Sequence, residues 1–149
     1  MAQTEGTEQR ILIDTNIFLE TLLKQERANE CIALLELVEK GLMRAFVTSF
    51  ALHSIEIAMY RVGELEELGR FLKWVVNATG LTVYPTSPEE ERDAITVIKE
   101  LSLDFDDALQ YHVAQTTGLE LVSFDQDFDD TGIGRVEPDE VVRDFLRIS

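Results

Sequence analysis

The sequence holds one cysteine, three prolines and eight glycines in 149 residues, and each scarcity removes a class of protein. A lone Cys31 can neither close an internal disulfide nor build a zinc site of cysteines, which excludes a disulfide-stapled module and fits a reducing cytoplasm. So little proline and glycine excludes collagen-like and linker-dominated chains. No apolar run approaches the roughly 20 residues that span a bilayer, and the polar stretch from Met1 to Arg10 lacks the apolar core of an export signal. Basic residues are scarce too: 13 Lys and Arg stand against 29 Asp and Glu, a formal net charge of −16. Affinity for DNA or an anionic membrane comes largely from basic side chains neutralising phosphate. Tight generic binding to either is therefore not expected, and the carboxylates are left with two uses, solubility and the binding of cations.

What is present is the composition of an ordinary globular domain, 45% hydrophobic and 28% charged. A domain of this length buries roughly 68–70% of the surface its unfolded chain exposes. Short apolar runs alternate with helix-period segments, which implies parallel strands joined by helical crossovers, an α/β domain. Strands are expected at residues 10–13, 44–48, 81–84 and 119–123, with a further short one around Arg135 and Val136. A helix over 27–40 would bury Ala28, Cys31, Ile32, Leu35 and Val38, with Gly41 as its left-handed cap. Thr48 or Ser49 caps a helix to about residue 62, and a further helix over 64–78 is ended by Gly80. Ser87 and Glu90 form a capping box with Pro88 at the first helical position, and the acids Glu89, Glu90 and Glu91 suit the helix dipole. From Asp106 or Asp107 a helix should run to about Thr117, with Gly118 as its stop, and Pro138 opens the last one. Neither repeat nor linker interrupts the chain, so it reads as one domain over 1–149 with residues 1–9 as a flexible N-terminus.

In an open parallel sheet ligands bind at the carboxyl ends of the strands. Asp14 directly follows Ile11-Leu12-Ile13, and Asp125 follows Leu121-Val122-Ser123-Phe124. Either alone reads equally well as a helix N-cap; two at one edge are harder to dismiss. Glu56 is the only charged residue between Arg44 and Arg61, and its plain alternative is an exposed position paired with His53. Asp104, Asp106 and Asp107 stand at a helix start, where capping leaves at least one acid unexplained. Carboxylate-rich, histidine-poor sites suit hard cations, Mg²⁺ or Mn²⁺. His53 and His112 make no H-E-x-x-H pattern, and an EF-hand counted from Asp125 fails at Asp130 and Val136, where Gly and Glu are required. Phosphate-cradling glycine loops and the G-x-S-x-G elbow are absent, and Asp14-Thr15-Asn16 lacks the second Asp of a phosphotransferase. What remains is an acid cluster binding one or two divalent ions that activate water against a phosphodiester.

These pieces, taken in order, resemble the PIN-domain nucleases, and in particular their VapC toxin-like branch. The matching segments are Ile11 to Asn16, Glu56, Leu103 to Leu109, and Leu121 to Phe128, spread from Ile11 to about Pro138. The resemblance implies a three-layer α/β/α sandwich with a central parallel sheet and a metal-dependent endoribonuclease site using Mg²⁺ or Mn²⁺. By motif position Asp14, Glu56, Asp107 and Asp125 look like the catalytic, metal-holding acids, and Asn16 and Ser123 like the polar residues that support them. Asp107 is preferred because the family's acid commonly precedes Ala; Asp106, Asp104 and Asp127 are the alternates. The implied partners are RNA, an antitoxin protein and a second copy of the chain, without a membrane. One departure from the family is that Arg61, Arg70, Lys73, Arg92 and Lys99 are scattered rather than gathered in a basic stripe. The competing reading is a catalytically weak or inactive interaction module of the same fold that acts through a protein partner.

Overall fold

The computed structural model describes residues 9–148; of the N-terminal segment expected to be flexible, residues 1–8 lie outside the described ones. Four short strands carry the fold: β1 (Arg10–Ile13), β2 (Arg44–Thr48), β3 (Leu81–Tyr84) and β4 (Glu120–Val122). They pair in parallel in the order β3-β2-β1-β4. Where a fifth strand was expected, Val136 makes a single parallel bridge to Val122. Parallel neighbours need crossovers. Among the described residues the helices are α1 (Thr15–Leu22), α2 (Ala28–Glu39), α3 (Ser49–Arg61), α4 (Leu65–Asn77), α5 (Pro88–Leu101), α6 (Phe105–Thr117) and α7 (Pro138–Ile148), with a 3₁₀ turn at Gln126–Phe128.

Because successive strand side chains point to opposite faces, the sheet divides the core in two. Ile11, Ile13, Ala45, Val47 and Val122 face one way and join a cluster with residues of α1, α2, α3, α4 and α7. Leu12 and Leu121 face the other way, into a cluster with Ala94 of α5, Ala108, Leu109 and Val113 of α6, and Phe128. Helices on both sides of a parallel sheet give the three-layer α/β/α sandwich.

The local signals act as their chemistry dictates. The Thr48 hydroxyl accepts from Ala51 N–H at 2.9 Å and starts α3, the Ser87–Glu90 capping box is complete, and Gly41 ends α2 in the left-handed region at φ +77°. Asp104 caps α6, which therefore begins at Phe105, slightly earlier than the sequence placed it. The buried face of α2 differs by one stripe. Cys31, Leu34, Leu35 and Val38 are buried, whereas Ile32 is 40% exposed. Ile32 instead lines an apolar groove of about 270 Å³ with Phe18, Phe71 and Trp74, between α1, α2 and α4. Burial pushes the Cys31 thiol up to about 12, so it is an inert core residue.

Gly80 is needed for contact rather than for an unusual backbone angle. Its N–H donates to Val38 O at 2.9 Å and its carbonyl accepts from Ala45 N–H at 2.8 Å. A Cβ there would stand 2.2 Å from Met43 O and 2.6 Å from Val38 O. Both are backbone atoms that cannot swing aside, so Gly80→Ala should destabilise the fold by about 1–3 kcal/mol. A melting temperature equal to the parent's would show that α2 and β3 part without strain.

Candidate active site

The strand parity that splits the core also aims the site. One residue beyond Ile13 and one beyond Val122, the chain turns Asp14 and Ser123 toward the α6 face, and Asp14 N–H donates to Val122 O at 3.0 Å. Ser123 Oγ donates to Asp14 Oδ2 at 2.6 Å. From α6, Gln110 Nε2 donates to Asp14 Oδ1 at 3.0 Å. Asp14 occupies the N-cap position of α1. It is 1% exposed. Burial pushes its carboxyl above the usual range against the hydrogen bonds from Ser123, Gln110 and the Asn16 backbone, and the charge of Asp125 adds to the push.

Asp125 does act as a cap: its Oδ1 accepts from Asp127 N–H at 2.9 Å, opening the 3₁₀ turn. Its own N–H donates to Ser123 Oγ at 2.9 Å, so one hydroxyl ties the two acids together. The loop carrying it is braced by charge. Arg135 donates to Ser123 O at 3.2 Å and to Glu137 at 2.7 Å, and Arg27 reaches the other oxygen of Glu137 at 2.7 Å with its guanidinium 3.9 Å from the centre of the Phe124 ring.

On α6 the cap is Asp104, whose Oδ1 accepts from Asp107 N–H at 2.8 Å. That leaves both Asp106 and Asp107 in the first turn for the site. Thr15 Oγ1 donates to Asp106 Oδ2 at 2.7 Å. Burial, with the Asp14 charge behind it, pushes the Asp106 carboxyl up to about 6. Asp107 is 9% exposed. Burial first, then the charges of Asp14, Asp104 and Asp125, push it up to about 8. Asp14, Asp106, Asp107 and Asp125 thus form one electrostatic unit drawn from three separate segments. Asp106 Oδ1 and Gln110 Oε1 are buried without a hydrogen-bond partner.

The remaining sequence-derived residues take other places. Glu56 is half-buried on α3, with Oε1 2.9 Å from His53 Nδ1, and it is not among the groups that perturb Asp14, Asp106 and Asp107 most. Asn16 is exposed and supports Asp14 through its backbone; Asp104 and Asp127 are exposed turn residues. Among the described residues no group of three or more His, Cys, Asp or Glu side chains closes to a cage that could hold an ion. Sequence reasoning missed Thr15 and Gln110. The signal for Gln110 was available: it lies three and four residues after Asp107 and Asp106, a lone amide among Ala108, Leu109, Tyr111, Val113 and Ala114.

The fold is a parallel α/β sandwich with the buried carboxylate of Asp14 just beyond β1 and the acids Asp107 and Asp125 close enough to perturb one another electrostatically. The chain belongs to the PIN domain family, whose model matches residues 11–134. No curated protein sequence matches it. Solved structures share the fold at low identity. VapC20 of Mycobacterium tuberculosis, described as a sarcin-ricin loop cleaving toxin, superposes at a TM-score of 0.71 with 17% identity, covering 86% of this chain and 99% of that one. VapBC2 of Rickettsia felis, bound to a DNA fragment from its promoter, gives 0.66 and 16%, covering 87% and 98%. A toxin-antitoxin complex from Klebsiella pneumoniae gives 0.62 and 18%, covering 86% and 97%.

Proposed function

We propose that this chain is a divalent-metal-dependent endoribonuclease, the toxin of a toxin-antitoxin pair working in the cytoplasm. The observation that supports the reading is that Asp14 and Asp125, just beyond β1 and β4, and Asp107, in the first turn of α6, perturb one another electrostatically in a PIN-family chain. The donor set is all oxygen, which suits Mg²⁺ or Mn²⁺. The unpartnered, buried Asp106 Oδ1 and the raised carboxyls of its neighbours mark a negative pocket that a cation relieves. Asp14, Asp107 and Asp125 hold the ion, with Glu56 from α3 as the fourth acid. Ser123 and the Asn16 backbone orient Asp14, while Asp104 and Asp127 shape the turns that deliver Asp107 and Asp125. A divalent ion supplies water activation and neutralises charge developing on the phosphodiester; the protein's own part is geometry and the exclusion of bulk solvent from Asp14. The antitoxin-bound relatives support a protein antitoxin as partner, and a second copy of the chain is the other partner in this reading. The test is cleavage of a panel of structured RNAs, a sarcin-ricin hairpin among them, with Mg²⁺ or Mn²⁺ and with EDTA.

The surface charge favours one further expectation and one rival reading. With 13 basic against 29 acidic residues and −16 on the chain, and with Arg27 and Arg135 engaged by carboxylates, the surface opposes the approach of RNA. RNA binding should be weak and should depend steeply on divalent ions. Filter binding at physiological salt measures this, and a tight complex in EDTA would refute it. The rival is an interaction module without cleavage, which the charge and the Glu56–His53 pairing favour. It predicts an antitoxin-like complex and no product from any RNA with Mn²⁺ present.

A further inference from the structure

We infer that Gln110 is a positioning residue of the acid site: its side-chain amide, donated to Asp14 Oδ1, fixes that carboxylate and thereby sets the site's affinity for a divalent cation. The inference rests on the metal-site reading above. The backbone of Asp14 is held by the bond to Val122 O that continues the β1–β4 ladder, but its carboxyl plane is free to turn unless both oxygens are held. Ser123 holds Oδ2 and Gln110 holds Oδ1, so rotation stops and the carboxylate keeps acceptor capacity for another partner.

The chemistry of an amide suits this task. An arginine or lysine would neutralise Asp14 and compete with a cation, whereas an apolar side chain would leave a buried carboxylate short of a donor. The orientation of the amide is decided by Asp14, because the flipped rotamer would set two acceptors against each other. That orientation leaves Gln110 Oε1 buried and unpartnered. Gln110 is fully buried among apolar neighbours on α6, where a methionine of similar size would pack without an orphaned acceptor. A residue serving only the core has no reason to carry that penalty; a donor to Asp14 has.

The experiment compares the parent with Gln110→Met, both checked for native circular dichroism, by calorimetric titration with Mn²⁺ at a temperature where both are folded. Groups that orient a metal ligand typically change affinity 10–100-fold when lost, so Gln110→Met should bind Mn²⁺ 10–100-fold more weakly, a change that core packing alone would not produce. An unchanged dissociation constant overturns the proposal. Should Gln110→Met not fold, the parent answers in its place: on titration with Mg²⁺ the Gln110 side-chain amide signals in a nitrogen–proton NMR spectrum should shift. If the Asp14 backbone signal moves and the Gln110 amide does not, the proposal falls while the metal site stands. A parent that binds neither Mn²⁺ nor Mg²⁺ overturns the metal site and this role with it.

Discussion

Asp14→Asn is expected to cut divalent-supported RNA cleavage about a thousandfold or more while the protein stays folded. Charge stabilisation by a metal ion contributes several kcal/mol to a phosphodiester transition state, and each 1.36 kcal/mol is a factor of ten in rate. Asn keeps the shape of the side chain and removes the charge. The local hydrogen bonds survive the change: Ser123 still donates to the amide oxygen, and a turned Gln110 offers its otherwise unpartnered Oε1 to the new NH₂ group. Loss of cleavage would then come from the site and not from unfolding. Time courses of RNA cleavage by both proteins, with Mn²⁺ and with EDTA, check it. Cleavage that persists in EDTA, or in the variant at the parent's rate, rules out the metal-dependent mechanism.

The second large effect is on stability. Asp107 is a carboxyl whose folded pKa, about 8, stands far above its ordinary 3.8. The native state therefore binds more protons than the unfolded state across that interval, and stability falls as pH rises from about 4 toward 8. Asp106, at about 6, adds to the same slope over the lower half of the window. At pH 7 in EDTA, Asp107→Asn should remove the cost of burying and protonating this carboxyl beside the other acids and raise the melting temperature by roughly 2–4 °C, the equivalent of about 1 kcal/mol for a chain of this length. It should also shrink the rise that Mn²⁺ gives the parent, since a ligand that binds only the folded state stabilises by mass action. Asp139→Asn is the control, its carboxylate lying on α7 beside Arg143. If Asp107→Asn melts lower than the parent in EDTA, or keeps the full response to Mn²⁺, then Asp106 is the better third acid.

The capping signals were legible because they operate within three or four residues. Thr48, Ser87 and the glycine after α2 do what their side chains and backbone freedom require wherever the rest of the chain lies. The three carboxylates of Asp104, Asp106 and Asp107 were legible as a group, but their division of labour was not. Only the α6 geometry assigns the cap to Asp104 and turns Asp106 and Asp107 toward Asp14. Ile32 and Leu34 show the same limit in the core. Both fit the helical period of α2, and the choice between them depends on how α1, α4 and α7 approach it.

By itself, then, the sequence determined the strands, the caps, the excess of carboxylate and the two acids at strand ends, since alternation, capping and charge are properties of neighbouring residues. Tertiary structure decided which groups meet Asp14. Ser123 lies 109 residues away and Gln110 lies 96 away. Such contacts depend on strand parity, crossover packing and side-chain rotation together, and no local pattern encodes their product: a shift of one residue in β4 would turn Ser123 to the opposite face and leave the buried carboxylate of Asp14 without its hydroxyl.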